Sequence, residues 1–157
     1  MRKQEIIQAL TPQAALVPLT EEALVALPTY LARLGVVPVF SFPFRIGRES
    51  RVRLDQKSGR LVRMERTMSS KVSADNDLYL VDGGDRLNIS RSHLSIERTG
   101  QGFVIVDRQS ACGCQINEDR IGGHDKGGEH ALQDGDDLTI GMPASAYRFR
   151  FVVLESV

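Results

Sequence analysis

The chain has no excess of charge of either sign, since 20 lysine and arginine residues balance 20 aspartate and glutamate residues among its 157. A strongly basic chain would be attracted to nucleic acid or to an anionic membrane surface, and this sequence creates no such overall field. We therefore expect neither nucleic acid nor a membrane as the partner.

Cysteine is also scarce, because only Cys112 and Cys114 are present, separated by one residue. Two neighbouring cysteines do not build the disulfide framework that is typical of small secreted domains. The sequence also lacks a basic segment followed by a long apolar run, the pattern of a signal peptide or a transmembrane helix. We expect a cytoplasmic protein without a transmembrane helix.

The composition changes near residue 35. The first 35 residues are rich in Ala, Leu, Glu and Gln, and Thr20 followed by Glu21 and Glu22 is typical of a helix N-cap with acidic residues in the first turn. Prolines break this region into short pieces, at positions 12, 18 and 28. Residues 1–35 are therefore predicted to form a short, partly helical N-terminal appendage.

Short apolar runs separated by Gly, Asp, Asn and Ser follow residue 35. This spacing favours an all-β, antiparallel β-sandwich over parallel βαβ units. The predicted strands are residues 36–40, 42–46, 78–81, 93–98, 102–107, 114–117, 138–141 and 147–154. Aromatic residues and arginines alternate in the last of these runs, as expected for a half-buried strand. The sandwich is predicted to span residues 36–157.

Two stretches within this region predict an anion-binding site, residues 44–48 (Phe-Arg-Ile-Gly-Arg) and residues 89–96. Each places a basic residue or a hydroxyl beside the turn at the end of a strand. Gly47 permits a close approach that a side chain would obstruct. Arg48 offers a planar fork of donors that suits phosphate or carboxylate.

The order and spacing of four motifs resemble the forkhead-associated (FHA) domain family over about residues 36–154. The motifs are Gly47-Arg48, Asn-Asp-Leu-Tyr-Leu at residues 76–80, Ser-Arg-Ser-His at residues 90–93, and residues 107–118, which begin with Asp-Arg-Gln-Ser. Residues 132–141 also resemble the family's turn into its penultimate strands. The resemblance implies an FHA-like sandwich whose loops at one end bind phosphothreonine peptides.

The resemblance also implies roles for individual residues. Arg48 and Ser90 match the residues that hold the phosphate, and Arg91 adds a second positive charge beside them. Two charge-assisted hydrogen bonds to a phosphate that carries about −1.5 to −2 charge are enough to decide binding. We therefore expect these residues to form the phosphopeptide site.

The loop at residues 110–113 departs from the family pattern. Gly47, His93 and Gly113 match residues whose family role is to shape and brace the loops. Ala111 and Cys112 stand where the family has Thr and Asn, which hold the phosphate and the peptide main chain. A thiol is a weaker donor and acceptor than an amide, so Cys112 is expected to bind the peptide less tightly.

These observations predict a non-enzymatic reader of phosphothreonine in Ser/Thr kinase signalling, with no cofactor. Its partner would be a phosphorylated protein, either a Ser/Thr kinase or one of its substrates. The alternative is an FHA-fold scaffold that makes phosphorylation-independent contacts because Ala111 and Cys112 have altered the peptide-binding loop.

A basic insertion at residues 49–74 separates the first two motifs, where the family commonly has a short loop. Val52 and Leu54 alternate with polar residues, Ser58-Gly59 is typical of a turn, and residues 61–65 can return, so a hairpin is expected. The insertion is either a solvated basic loop or an extension that attracts acidic or multiply phosphorylated partners.

Two further side-chain sets were considered as metal or catalytic sites. The first set comprises Cys112, Cys114, His124 and His130. Only one residue separates the two cysteines, whereas structural zinc sites typically have two to four residues between them, so no metal is expected. The set Ser90, His93 and Asp107 contains the residue types of a nucleophilic triad. No Gly-x-Ser-x-Gly turn accompanies this set, so no enzyme activity is expected.

Overall fold

The computed structural model describes residues 1–64 and 75–155, which form two packed β-sheets, a separate hairpin and three short helices. The helices are α1 (Lys3–Leu10), α2 (Glu21–Ala26) and α3 (Thr29–Leu34). The strands are β1 (Ala14–Pro18), β2 (Val37–Val39), β3 (Phe44–Arg48), β4 (Val52–Asp55), β5 (Arg60–Arg63), β6 (Leu78–Leu80), β7 (Leu94–Thr99), β8 (Gly102–Asp107), β9 (Cys114–Ile116), β10 (Asp119–Ile121), β11 (Gly128–Leu132), β12 (Asp137–Ile140) and β13 (Arg148–Val153). No helix in these two ranges is long and apolar enough to cross a membrane.

One sheet has six strands in the order β10-β9-β12-β13-β1-β2. Strand β1 pairs antiparallel with β13 on one side and with β2 on the other, with Leu16 opposite both Phe151 and Val37. This strand was not predicted from the sequence, because its five residues include two alanines and lie in a proline-broken region. Residues 14–18 therefore form part of the sandwich, while the division into an appendage of residues 1–35 and a domain of residues 36–157 stays a prediction.

The second sheet has five strands in the order β11-β8-β7-β3-β6. All of its pairs are antiparallel except β3 and β6, which run parallel, with Gly47 opposite Tyr79. This pair is the exception to the antiparallel arrangement predicted from the sequence. A parallel pair requires a long crossover, and residues 49–77 between the two strands supply it.

The two sheets share one hydrophobic core that confirms the expected β-sandwich. Phe149 and Phe151 of β13 are fully buried, whereas Arg148 and Arg150 on the opposite face are exposed, as the alternation predicts. Largely buried aliphatic residues from both sheets complete the core, among them Leu16, Ile46, Leu94, Ile96, Ile105, Ile116 and Leu138. This core fixes the positions of the strand ends that carry the candidate site.

The start of α2 agrees with the capping pattern seen in the sequence. Thr20 is the N-cap, and its side-chain oxygen accepts a hydrogen bond from the amide of Ala23 at 3.1 Å. The same hydroxyl donates to the carbonyl of Ala146, which ties the helix start to the segment before β13. Helix α2 is thereby held at the same end of the sandwich as residues 144–147.

Strands β4 and β5 form the expected hairpin, in which Leu54 lies opposite Leu61. Its base is attached to the sandwich by Arg63, whose guanidinium forms a 2.9 Å ion pair with the buried carboxylate of Glu49. Arg63 also donates to the carbonyls of Ala26 and Tyr79 at 3.0 and 2.9 Å. The end of the insertion, residues 65–74, lies outside the described residues.

Candidate functional site

The end of β3 lies directly against the loop that carries the Ser-Arg-Ser-His motif. The amide of Arg48 donates to the carbonyl of Ser90 at 2.9 Å, and the amide of His93 donates to the carbonyl of Ile46 at 3.1 Å. Between these two bonds, a Cβ on Gly47 would lie only 2.0 Å from the carbonyl oxygen of Arg91. Glycine is therefore required here because the loop backbone occupies the place of a side chain.

Arg48 and Ser90 lie side by side as a result of this backbone pairing. The partly exposed Arg48 guanidinium donates through Nη1 to the carbonyl of Ile89 at 3.2 Å, and it has no ion-pair partner among residues 1–64 and 75–155. The Ser90 hydroxyl oxygen accepts from the amide of Ala111 at 3.1 Å. The remaining guanidinium N–H groups and the Ser90 O–H proton are thus available to a phosphate oxygen.

His93 connects the Ser90 loop to the loop at residues 110–113. Its fully buried ring accepts a hydrogen bond from the amide of Ser90 at Nδ1 (3.0 Å) and contacts the carbonyl of Gly113 through Nε2 (2.7 Å). An amide can only donate and a carbonyl can only accept, so the ring is neutral with its proton on Nε2. Burial lowers the pKa of His93, partly opposed by its bond to Gly113.

A buried carboxylate shapes the loop at residues 110–113. Asp107 accepts hydrogen bonds from the amide and the hydroxyl of Ser110 at 2.9 and 2.6 Å, and the Ser110 hydroxyl oxygen accepts from the amide of Gly113 at 2.9 Å. Gly113 has a left-handed φ of 71°, and a Cβ there would approach the carbonyl oxygen of Ile121 to 2.6 Å. Both constraints explain why glycine stands at this position.

Cys112 lies at the outer side of the same loop. Its partly exposed thiol donates a weak hydrogen bond to the carbonyl of Leu87 at 3.4 Å, so it contacts the loop that leads to Ser90. Arg120 of β10 donates to the carbonyls of Cys112 and Gly141 at 2.7 and 2.6 Å. Arg120 was not predicted as part of the site, since nothing in the sequence around it indicates a contact with residue 112.

Asp82 organises the segment that leads to Ser90. Its buried carboxylate accepts from the amides of Asn88 and Ile89 at 2.6 and 3.0 Å, and from the hydroxyl of Tyr147 at 3.0 Å. Burial and the neighbouring carboxylate raise the pKa of Tyr147, so this hydroxyl remains a donor. Asp82 was also missed, although an aspartate followed by two glycines is a local turn signal.

Arg91 lies beside this site with an exposed side chain, whereas its backbone is held firmly. The side-chain amide of Asn76 donates to the Arg91 carbonyl at 2.7 Å, and the Asn76 carbonyl accepts from Arg108 at 2.9 Å. The guanidinium of Arg91 has no hydrogen-bond partner in the described ranges. The structure thus brings together four predicted residues, Arg48 at the end of β3 and Ser90, Arg91 and Cys112 on the adjacent loops, and their roles in binding stay predictions.

The side chains that could suggest a nucleophilic triad or a zinc site do not make the contacts that such sites require. Asp107 binds Ser110 rather than His93, and His93 contacts the amide of Ser90 rather than its hydroxyl. Burial raises the pKa of the Cys114 thiol to about 12, so it remains protonated. Within residues 1–64 and 75–155, no three His, Cys, Asp or Glu side chains are grouped so that they could hold a metal ion.

The geometry defines a two-sheet β-sandwich whose candidate site lies at the end of β3 and on the adjacent loops. The family model described as FHA domain matches residues 44–141. Since the match spans more than half of the 157 residues, the chain belongs to the FHA domain family.

A solved structure of Mycobacterium tuberculosis EmbR in complex with a low-affinity phosphopeptide is similar to this chain, with a TM-score of 0.51 and 21% identity. The similarity covers 98% of this chain and 29% of the EmbR chain. At this identity it supports the fold. No curated protein matches the sequence.

Proposed function

We propose that the protein is a non-enzymatic module that binds phosphothreonine-containing protein segments in Ser/Thr kinase signalling. The observation that carries the proposal is the pairing of Arg48 with Ser90 at the loop surface, where no carboxylate among the described residues forms an ion pair with the guanidinium. Membership of the FHA family and the likeness to EmbR, which was solved with a phosphopeptide, support the same function.

The physical basis is charge-assisted hydrogen bonding in a preorganised site. Each hydrogen bond to an ionised phosphate contributes about 1.5 to 3 kcal/mol. Arg48 is oriented by Ile89, and Ser90 is oriented by Ala111, so little reorganisation is needed on binding. The proposed partner is a phosphorylated Ser/Thr kinase or one of its substrates.

The test is a library of phosphothreonine peptides, screened beside the same peptides without phosphate and followed by titration calorimetry. We expect Arg48→Ala to remove binding of the selected phosphopeptide without loss of folded signal by circular dichroism. Arg53→Ala is the matched control, because Arg53 is an exposed arginine on the hairpin. Unchanged binding by Arg48→Ala would disprove the phosphate site.

The second candidate is an FHA-fold scaffold whose contacts do not depend on phosphate. The observation that favours it is the thiol of Cys112, which is engaged with Leu87 beside an Ala111 that offers no side-chain donor. If the protein is such a scaffold, the same screen should find partners that bind equally well with and without phosphate. The affinity for these partners should not change in Arg48→Ala.

A further inference from the structure

Helix α1 lies outside the hydrophobic core. Each of its eight residues is exposed, and the apolar side chains of Ile6, Ile7 and Leu10 are 43%, 46% and 72% exposed. Their spacing places these three residues on one face of the helix. An isolated helix shorter than about 12 residues is marginal in water, and most helices in proteins are stabilised by packing of an apolar face. The apolar face of α1 therefore needs a surface that covers it.

Helix α1 is attached at the end of the sandwich that lies away from the candidate phosphate site. Gln13, at the start of the first sheet, accepts through its side-chain carbonyl from Arg98 at 2.7 Å. Arg98 lies opposite Phe103 near the start of β8. Asp107, which shapes the loop at residues 110–113, lies at the other end of this strand, about 13 Å further along.

A groove opens at the same end as α1. It has a volume of about 600 Å³ and is lined by residues 101–103, 131–134, 153 and 155. We call it the distal groove. Phe103, the buried Leu132 and Val153 make its lining largely apolar, and a volume of this size accommodates several aliphatic side chains. Residues 3–10 of α1, all of them described, do not line it.

The charges of α1 and of the distal groove are opposite in sign. Arg2 pairs with Glu5 at 3.9 Å, which leaves Lys3 as the net positive charge at the start of the helix. Asp134 and Glu155 line the groove, and the described residues that line it include no lysine or arginine. Glu155 is already paired with an arginine of β7 at 2.6 Å, so Asp134 is the expected partner of Lys3.

The link between α1 and β1 favours a groove on another molecule over the groove of the same chain. Only residues 11–13 separate the helix from the strand, and Pro12 restricts both its own backbone and that of Thr11. The amide of Gln13 donates to the carbonyl of Val39 at 2.9 Å, which fixes the end of the link. Short, constrained links favour the exchange of an element between identical chains.

We propose that the apolar face of α1 docks into the distal groove of a second copy of this chain, which returns its own α1 to the first. Helix and groove lie at the same end of the molecule, so a two-fold axis allows both contacts at once. The candidate phosphate sites then lie at the two outer ends of the dimer, which presents two of them to phosphorylated partners. Only this last consequence rests on the proposed function.

The experiment measures the mass of the full chain by sedimentation velocity from about 1 to about 200 µM. We expect the mass to rise with concentration from 17.4 kDa towards twice that value. Ile7→Gln and Leu10→Gln remove apolar contact area but keep a good helix former, and each should weaken dimerisation about tenfold or more. Ala131→Arg should do the same, because the exposed Ala131 lines the groove and arginine adds bulk and positive charge there.

The control is Val25→Gln, because Val25 of α2 is 56% exposed but does not line the distal groove among the described residues. This variant should dimerise as the parent does, and circular dichroism verifies that every variant is folded. A mixture of Leu10→Gln with Ala131→Arg tests the exchange directly. The first variant keeps an intact groove and the second an intact helix, so the mixture should associate more strongly than either variant alone.

Three results would overturn the inference. The first is a monomer at every concentration, and the second is a dimer that Ala131→Arg leaves unchanged, which would indicate contact between the two helices instead. The third is a mixture that associates no better than its components. None of these measurements uses a phosphopeptide, so the inference and the proposed function fail independently, and Arg48→Ala should dimerise as the parent does.

Discussion

Replacing Gly47 with alanine tests whether the backbone contact beneath the site determines its geometry. The added Cβ would lie 2.0 Å from the Arg91 carbonyl oxygen and 2.4 Å from the Asn76 side-chain nitrogen. A Cβ needs at least 3.0 Å to such atoms, so the loop must move by about 1 Å. Backbone hydrogen bonds of Arg48 with Ser90 and of His93 with Ile46 hold the loop on both sides of the contact.

The expected cost follows from two contributions. Forcing an extra methyl group into a packed site costs about 1 to 3 kcal/mol. Displacing the Arg91 carbonyl also disrupts its 2.7 Å hydrogen bond from Asn76, which contributes about 0.5 to 1.5 kcal/mol. Gly47→Ala is therefore expected to lower the free energy of unfolding by roughly 2 to 4 kcal/mol, and to weaken phosphopeptide binding because Ser90 moves with the loop.

Urea denaturation followed by circular dichroism measures this loss. The matched control is Gly100→Ala, because a Cβ on Gly100 would meet no atom within 4 Å. Its effect should stay within about 0.5 kcal/mol of the parent. If Gly47→Ala were as stable as Gly100→Ala, the close approach of the Arg91 carbonyl would not be the reason for glycine at this position.

Two further predictions concern the brace and the divergent loop. Burial holds the pKa of His93 below its value in the unfolded chain. The stability that neutral His93 contributes is therefore present above about pH 6.5 and is lost as the pH falls through the folded pKa. Denaturation experiments from about pH 7.5 to about pH 5.5 should show this loss in the parent but not in His93→Gln. His130→Gln is the control. The Ala131 carbonyl and Asp119 raise the pKa of His130, so His130 adds stability as the pH falls, and its removal should make the loss steeper. If the free energy of unfolding depended on pH in both variants as it does in the parent, this account would be contradicted. Ala111→Thr combined with Cys112→Asn should slow phosphopeptide dissociation about five-fold to a hundred-fold, because two hydrogen bonds of about 0.5 to 1.5 kcal/mol each are regained; equal dissociation rates in surface plasmon resonance would show that Cys112 does not weaken binding.

The local pattern of the sequence was sufficient for most strands and for the hairpin. Strand β8 spans residues 102–107 as predicted, and the other predicted strands differ from the structure by one or two residues at their ends. Strands β1, β10 and β11 were not predicted. The partners of β1 are distant in sequence, residues 37–39 and 149–153. A strand becomes recognisable by local pattern only when its own residues alternate or are rich in β-branched types, and Ala14–Pro18 meets neither condition well.

The candidate site shows the same division between local and distant causes. The motifs around Arg48, Ser90 and Asp107 are recognisable in the sequence, so the sequence alone predicted which residues the site contains, and their roles in binding stay predictions. Tertiary structure decided how they are held, since Asp82 meets Tyr147 only after the two sheets pack, and Arg120 meets Gly141 only after the strands of one sheet have paired. It also decided that Leu54 and Leu61 face a groove between the hairpin and α2, because the side a hairpin presents depends on how its base is attached, here through Arg63 and Glu49.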